Sequence, residues 1–458
     1  MSWLEDLKRS AAGLLNARQK PLSFTGLIRA CETLASPRGD ASAASIANDV
    51  LVGYAALPDE QKKLFLAALA DRFGPDKSRL DAAISRYKQT GDARSIAELH
   101  SASEPKLQRV IRRLNLGVNG TASLVAMRQD AFRFAKDIPD FPALDADFAH
   151  VFSSWFNAGF LSLRTIEWTS PANILRKVID YEAVHAIKDW DDLRRRLEPQ
   201  DRRCYAFFHP QMPDEPLIFV EVALTNGIPD NISVLLGENR AAIPASAANT
   251  AVFYSISNCQ EGLRGVPFGN YLIKRVVESL RRELPGLKNF VTLSPVPGLA
   301  AWVASVREAK GGLLTAGERT VLEALDTPDW HLNPDRYPGL KEVLTSVTAR
   351  YITQARSKTG GVVDPVARFH LGNGARLELI RFMADPSSKG VRTGLGMMVN
   401  YLYDLRYIER NHEAFSERNQ VPASSAALRL AKPAAGFKRE APAKGRKTES
   451  DEAASAEA

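Results

Sequence analysis

From the amino terminus to about residue 145, apolar positions recur at helical spacing. Leu64, Phe65, Ala68, Leu69 and Phe73 form one stripe, introduced by Pro58-Asp59-Glu60. Leu107, Val110, Ile111 and Leu114 form another at i, i+3, i+4, i+7, with Ser103 placed as a cap and Pro105 just inside. Arg109, Arg112 and Arg113 give that helix a basic side, the usual pattern of a solvated face. The proline-bearing stretch Asp137 to Leu144 closes this helical part. No chemistry shows in it.

Beyond that point the pattern alternates between helix and strand. Trp155 to Trp168 lead into Thr169-Ser170-Pro171, a cap and a proline that start a helix over Ala172 to His185, and Asp191 to Leu197 reads as a short charged helix. Tyr205–Phe208, Pro216–Leu224, Val252–Ser257 and Phe290–Leu293 are β-branched or aromatic runs, the pattern of buried strands. His209 and Glu215 fall in a Pro/Asp-rich turn and, like Glu167 and His185, read as structural polar residues. Between the last two strands, Leu272, Ile273, Val276, Val277, Leu280 and Leu284 make a single helical stripe. Gly298 to Lys310 and Pro338 to Ser357 are again helical, separated by a polar connection around Thr327-Pro328-Asp329. Val366–Leu371 and Arg376–Phe382 flank Gly372-Asn373-Gly374-Ala375, an Asn-Gly hairpin signal that puts His370 near the end of a strand. Met397 to Tyr407 reads as an aromatic-rich helix. Past about Ala431 the chain is Lys, Glu, Ala, Pro and Ser, a composition that predicts disorder.

Charge and cysteine content narrow the classes. The 458 residues carry a net charge of +7, but it is the small excess of 60 basic over 53 acidic residues. No nucleic-acid recognition module accompanies it, and a mildly basic surface equally steers a polyanionic small molecule. No apolar run approaches the roughly 20 residues that span a bilayer. The amino terminus lacks an apolar signal core, and Glu5 and Asp6 argue against a transit peptide. Cys31, Cys204 and Cys259 are odd in number and widely spaced, which suggests neither a disulfide framework nor a zinc site. A reducing, cytoplasmic protein without membrane or nucleic-acid partners is expected.

Candidate chemistry gathers between Asn249 and Trp302. The loop Arg264-Gly265-Val266-Pro267-Phe268-Gly269-Asn270 follows a strand and opens into a helix, whose free N–H groups and dipole suit a pyrophosphate. It is neither G-x-G-x-x-G nor a P-loop, so on spacing alone an ordinary strand-to-helix turn fits as well. Ser294 stands at a strand end where Pro295 and Pro297 fix a turn. From the residues alone, a serine before proline such as Ser294 is most often a turn residue and a lone strand histidine such as His370 most often a structural one.

The wording of the chain goes further. FYSISNCQEGLRGVPFGNYLIKRV followed by LSPVPG, together with GFLSLRTIEWTSPANIL, CYAFFHPQMPDEPLIFVEVAL, DPVARFHLGNGA and MMVNYLYDL, closely resembles the malonyl-CoA decarboxylases. These blocks stand in order over most of the chain from about residue 150 to 405. The resemblance implies an α+β fold. An all-helical amino-terminal domain (residues 1–145), serving oligomerisation, precedes a GNAT-like mixed α/β catalytic domain with additional helices (146–430) and a disordered tail (431–458). GNAT-type acetyltransferases cradle the coenzyme A pyrophosphate in a Gln/Arg-x-x-Gly-x-Gly/Ala loop. Here the spacing between glycines is longer, a poorer match to a plain acetyltransferase.

By the same resemblance, Ser294 in the LSPxPG block hydrogen-bonds the malonyl group and accepts a proton, and His370 in the FHLxNGA block donates one. Arg264, Gly265, Val266, Pro267, Phe268, Gly269 and Asn270 would bind the coenzyme. Tyr403 would add a phenolic hydrogen bond, or simply pack, and Ser255 is a weaker candidate of that kind. Pro267 replaces a carboxylate that some relatives carry, which leaves a loop acid without a place here. The implied reaction releases CO₂ from malonyl-CoA and asks for no biotin, pyridoxal phosphate or metal, because the thioester delocalises the charge. Self-association as a dimer or tetramer is implied as well. A GNAT N-acyltransferase, a non-catalytic acyl-CoA-binding protein and, third, a basic nucleic-acid binder remain as alternatives.

Overall fold

The computed structural model describes residues 22–36, 42–157, 159–266, 272–309 and 312–432. Pro267, Phe268, Gly269 and Asn270 of the candidate loop lie outside the described residues, as does the expected tail from residue 433 on.

The amino-terminal part is a stack of helices running from Phe24–Ala35 to Phe141–Trp155. The stripe Leu107, Val110, Ile111 and Leu114 is buried throughout and holds the helix Lys106–Leu114 against its neighbours. Its basic side does more than meet solvent. Arg113 donates to the carbonyls of Leu34 (3.0 Å) and Ser36 (2.7 Å), and Arg109 to that of Ala35 (3.3 Å). They close the carbonyl end of the helix Phe24–Ala35. Two expectations shift here. Ser103 is the last residue of the helix Ala93–Ser103, with its hydroxyl on the His100 carbonyl, and Pro105 takes the cap position instead. Leu64 is 60% exposed, because Leu66 occupies the buried position on the helix Asp59–Arg72.

The second part is built on an eight-stranded sheet: β1 (Ser162–Ile166), β2 (Arg202–His209), β3 (Met212–Thr225), β4 (Thr250–Asn258), β5 (Asn289–Thr292), β6 (Ser294–Pro295), β7 (Arg376–Arg381) and β8 (Met398–Leu402). The order is β1-β2-β3-β4-β5-β8-β6, with β7 also on β8. β1 to β4 are antiparallel, while β4 and β5 are parallel and joined through the candidate loop and the helix Leu272–Glu283. That helix buries Leu272, Ile273, Val276, Val277 and Leu280 on one face of the sheet, a gross gain on the order of 10 kcal/mol. The helices Ala172–Tyr181 and Trp190–Leu197 cover part of the other face. This is the mixed α/β layout that the resemblance implied.

Three irregularities shape the sheet. Pairing of β4 with β5 stops at Phe253↔Thr292, although β4 runs on to Asn258, so the strands splay apart. On the other side of β5, β8 meets it only at Val291↔Leu402. A bulge in β4 leaves Tyr254 as an extra residue, since Ser255 pairs with Glu221 but Phe253 with Val222.

The two parts touch at the turn after β4. The buried Arg128 pairs with Asp145 (2.7 Å) and donates to the Gly262 carbonyl (2.8 Å). A Cβ at Gly262 would lie 2.0 Å from the Val125 carbonyl oxygen, so only glycine allows this approach.

Several predicted elements change type. Val366–Leu371 lies in the helix Pro365–Gly372, because Asp364 caps it (2.8 Å to the Ala367 N–H) and Pro365 occupies its first position. Asn373 and Gly374 end that helix instead of turning a hairpin. Gly374 (φ +79°) is pressed so close to Ile408 that a Cβ would meet its carbonyl oxygen at 2.3 Å. Met397–Tyr407 contains β8, not a helix; Val399 and Tyr401 alternate as strand residues beside β7. The strand β1 stands in the Trp155–Trp168 stretch where none was expected, and the helix expected to reach His185 ends at Tyr181. Among the described residues, no helix is long and apolar enough to cross a membrane.

Candidate active site

β5 carries the chain across the splayed region, and two residues past its last pair with β4 the turn residue Ser294 pairs with Val399. The helix Pro365–Gly372 approaches from the opposite side and brings His370 in its last turn. Ser294 Oγ lies 3.0 Å from His370 Nε2, and His370 Nδ1 lies 2.8 Å from the Tyr403 hydroxyl. Three sequence candidates 109 residues apart at most thus form one hydroxyl–imidazole–phenol chain. Thr292 extends it, since its Oγ1 accepts from Ser294 Oγ at 2.9 Å. The Tyr401 ring stacks on the imidazole with centroids 4.7 Å apart. Ser294 and His370 are 6% and 3% exposed, and Phe369 and Asn373, on either side of His370 in the chain, line the neighbouring cavity.

Burial sets the charge of this chain. With no counter-charge in contact, desolvation pushes the His370 imidazole down to about 3, and it holds the Tyr403 phenol well above its ordinary value. Both groups are neutral near pH 7.

A cavity of about 620 Å³ opens where β4 outruns β5. Asn258 and Cys259 come from the end of β4, Phe369 and Asn373 from either side of His370, and Gln129 from the helical part. Arg264, Gly265 and Val266 line it, as does Arg368, whose guanidinium is held by the Val362 and Val363 carbonyls at 2.7 and 2.8 Å. Arg264 pairs with Glu261 and stacks over the Phe132 ring (4.6 Å). Gly265 adopts φ +79°, the left-handed region that glycine enters freely.

Ser255 is elsewhere. Its Oγ donates to Glu182 (2.7 Å to each carboxylate oxygen) on the face of the sheet turned away from His370. Simple alternation would place it beside Phe253, which packs against Tyr403 at 6.1 Å. The Tyr254 bulge sends it to the other face. Thr292 and Tyr401 escaped the sequence reading. Thr292 is two residues before Ser294, which in a strand means the same face, and that was the available signal.

Residues 159–441 match the model of the malonyl-CoA decarboxylase C-terminal domain, and residues 73–156 match that of the N-terminal domain. The chain belongs to the malonyl-CoA decarboxylase family. Among family members, the mitochondrial malonyl-CoA decarboxylase of Anser anser anser is 34% identical over 396 residues, covering 79% of this chain and 78% of that protein. The Mus musculus mitochondrial enzyme is 32% identical over 413 residues, 81% of this chain and 82% of its own. Crystal structures of malonyl-CoA decarboxylases agree in fold. That from Rhodopseudomonas palustris superposes with a TM-score of 0.85 at 52% identity, covering 89% of this chain and all 100% of its own. That from Agrobacterium vitis gives 0.83 at 51% identity, with coverages of 88% and 99%. In this family member, the LSPVPG and FHLGNGA blocks meet at the 3.0 Å contact between Ser294 and His370.

Proposed function

We propose that this chain decarboxylates malonyl-CoA to acetyl-CoA and CO₂ through a thioester enolate, with Ser294 and His370 as its catalytic residues. The observation that carries this is the buried Ser294–His370–Tyr403 chain beside the cavity at the splay of β4 and β5. The C–C bond breaks with its electron pair passing to the thioester, which is why the reaction asks for no added electron sink, metal or prosthetic group. A poorly hydrated site favours loss of the carboxylate, because its charge disperses as CO₂ forms.

The carbanion carbon then needs a proton, and His370 gives it. In the free protein the imidazole is neutral. A malonyl carboxylate brought into the same dry pocket favours the charged ring, so substrate binding draws in the proton that the reaction consumes. Tyr403 turns its hydroxyl from donor to acceptor as Nδ1 gains that proton. Ser294 holds the malonyl group. Arg264, Arg368 and the loop leading into the helix Leu272–Glu283 serve the coenzyme's phosphates, through charge and through the free N–H groups of a helix start. We further infer that the helical part carries self-association, and that the buried free thiols Cys31, Cys204 and Cys259 suit a cytoplasmic setting.

The test is release of CO₂ and acetyl-CoA from malonyl-CoA by the purified protein. Ser294→Ala and His370→Ala should each lower kcat by about 10²-fold or more. A folded parent that binds coenzyme A yet releases no acetyl-CoA would overturn the proposal and leave acyl transfer as the better reading.

A further inference from the structure

The proton arrangement of this chain is set by a residue outside the pair. Because β5 and β8 share only the Val291↔Leu402 pair, the next main-chain groups along the gap have no ladder partner. Side chains stand in for them. Asn400 Nδ2 donates to the Thr292 carbonyl at 2.7 Å, and the Tyr401 N–H donates to Thr292 Oγ1 at 3.0 Å. An amide N–H can only donate, so Thr292 Oγ1 is already an acceptor there, and its remaining acceptor site faces Ser294 Oγ at 2.9 Å.

Ser294 has one proton. Given to Thr292, it is not available to His370, so across the 3.0 Å contact the serine oxygen must accept and Nε2 must carry hydrogen. Nδ1 is then bare and accepts from the Tyr403 hydroxyl at 2.8 Å. We propose that Thr292 is a positioning residue for the decarboxylation: by taking the Ser294 proton it holds His370 in the Nε2–H tautomer. The inference about catalysis rests on the reaction proposed above; the tautomer itself does not. The tautomer matters because Nε2 faces Ser294. The hydrogen required by the carbanion is on that nitrogen beforehand, and the proton drawn in by the substrate enters at Nδ1. Near neutral pH the burial-depressed basicity of His370 keeps the ring in a single neutral form, which makes the tautomer readable.

The experiment uses the full chain with ¹⁵N-labelled histidine, and His370→Gln identifies the His370 signals. In the unliganded parent at pH 7, long-range ¹H–¹⁵N spectra should show Nε2 protonated and Nδ1 bare. In Thr292→Val the serine hydroxyl is freed to donate to Nε2, so the pattern should reverse. Its kcat should fall by about tenfold or more with KM for malonyl-CoA within about twofold, and Thr292→Ser should restore both signals and rate. A parent with hydrogen on Nδ1 overturns the proposal even if Thr292→Val does not fold. An unreversed tautomer in folded Thr292→Val, or Thr292→Ser behaving like the valine variant, overturns it as well. A parent that shows Nε2–H yet never turns over malonyl-CoA would sink the proposed reaction while leaving the tautomer assignment standing.

Discussion

The sheet buries polar side chains on both faces, and the two sets are built on opposite terms. On the His370 side Thr292, Ser294, His370 and Tyr403 form a line of neutral groups, each handing one hydrogen to the next. On the other side Glu182 is saturated: Ser255 (2.7 Å), Ser257 (3.1 Å) and the N–H groups of Val184 (2.9 Å) and His185 (2.7 Å) all converge on it. Beside it, Arg196 is shared among Glu221 (3.2 Å), Asp192 (3.2 Å) and the His185 carbonyl (2.8 Å). A line of hydroxyls and an imidazole both donates and accepts and so can pass a hydrogen along, whereas a carboxylate surrounded by donors only accepts. The comparison separates polar groups that can act from those that only hold the fold. Ser255 belongs with the second.

The comparison can be broken in several ways. The largest effect is expected from Glu182→Ala, which leaves two hydroxyls and two N–H groups without their acceptor. It should cost on the order of 3 kcal/mol or more in urea unfolding, while kcat of the folded fraction stays near parental. Retained stability would show that the network is not what holds this face.

Next comes proton uptake. Malonyl-CoA binding at pH 7 should draw in up to about one proton, read by calorimetry in buffers of different ionisation heat. Uptake requires affinity to strengthen as pH falls. Acetyl-CoA, which lacks the carboxylate, and the His370→Ala variant should both show none.

A gentler sign test concerns Glu221, which burial first and Glu182 second push up from 4.5 to about 8, against the pull of Arg196. Its raised value means the folded state binds the extra proton. The stability it contributes is full below pH 4.5 and is lost as pH rises toward 8, so Glu221→Gln should flatten that decline in thermal unfolding. His370 and His185 act in the other direction. They are pushed by burial from 6.5 to about 3 and about 4, so their contribution is present above 6.5 and fades as pH falls. The smallest effect is Ser255→Ala, with kcat/KM within about twofold and a loss near 1 kcal/mol. A large loss of activity there would return Ser255 to the active site.

Much of the framework was legible in the chain. β2 to β5 follow from their β-branched runs, and the helix Leu272–Glu283 follows from its stripe, because burial selects those residue types directly. The segment around His370 was misread because two local signals compete: Asp364-Pro365 starts a helix, while Asn373-Gly374 suggests a hairpin. Contact of Gly374 with Ile408, far along the chain, decides between them. The pairing of Ser294 with His370 came from resemblance to known blocks, since neither residue is unusual in its own neighbourhood. Thr292 gave only its i−2 spacing from Ser294 as a sign. It looks like any β-branched strand residue, and its role comes from an N–H on Tyr401, which joins it only when β8 folds alongside.

The glycine at 262 has a mechanical consequence. It leaves no slack between the Val125 carbonyl and the turn that leads, two residues later, into Arg264 at the cavity wall. With Arg128 clamped to the same turn, a torque applied to the amino-terminal helices has no soft joint in which to dissipate. It would arrive at the proposed coenzyme seat as a change of grip.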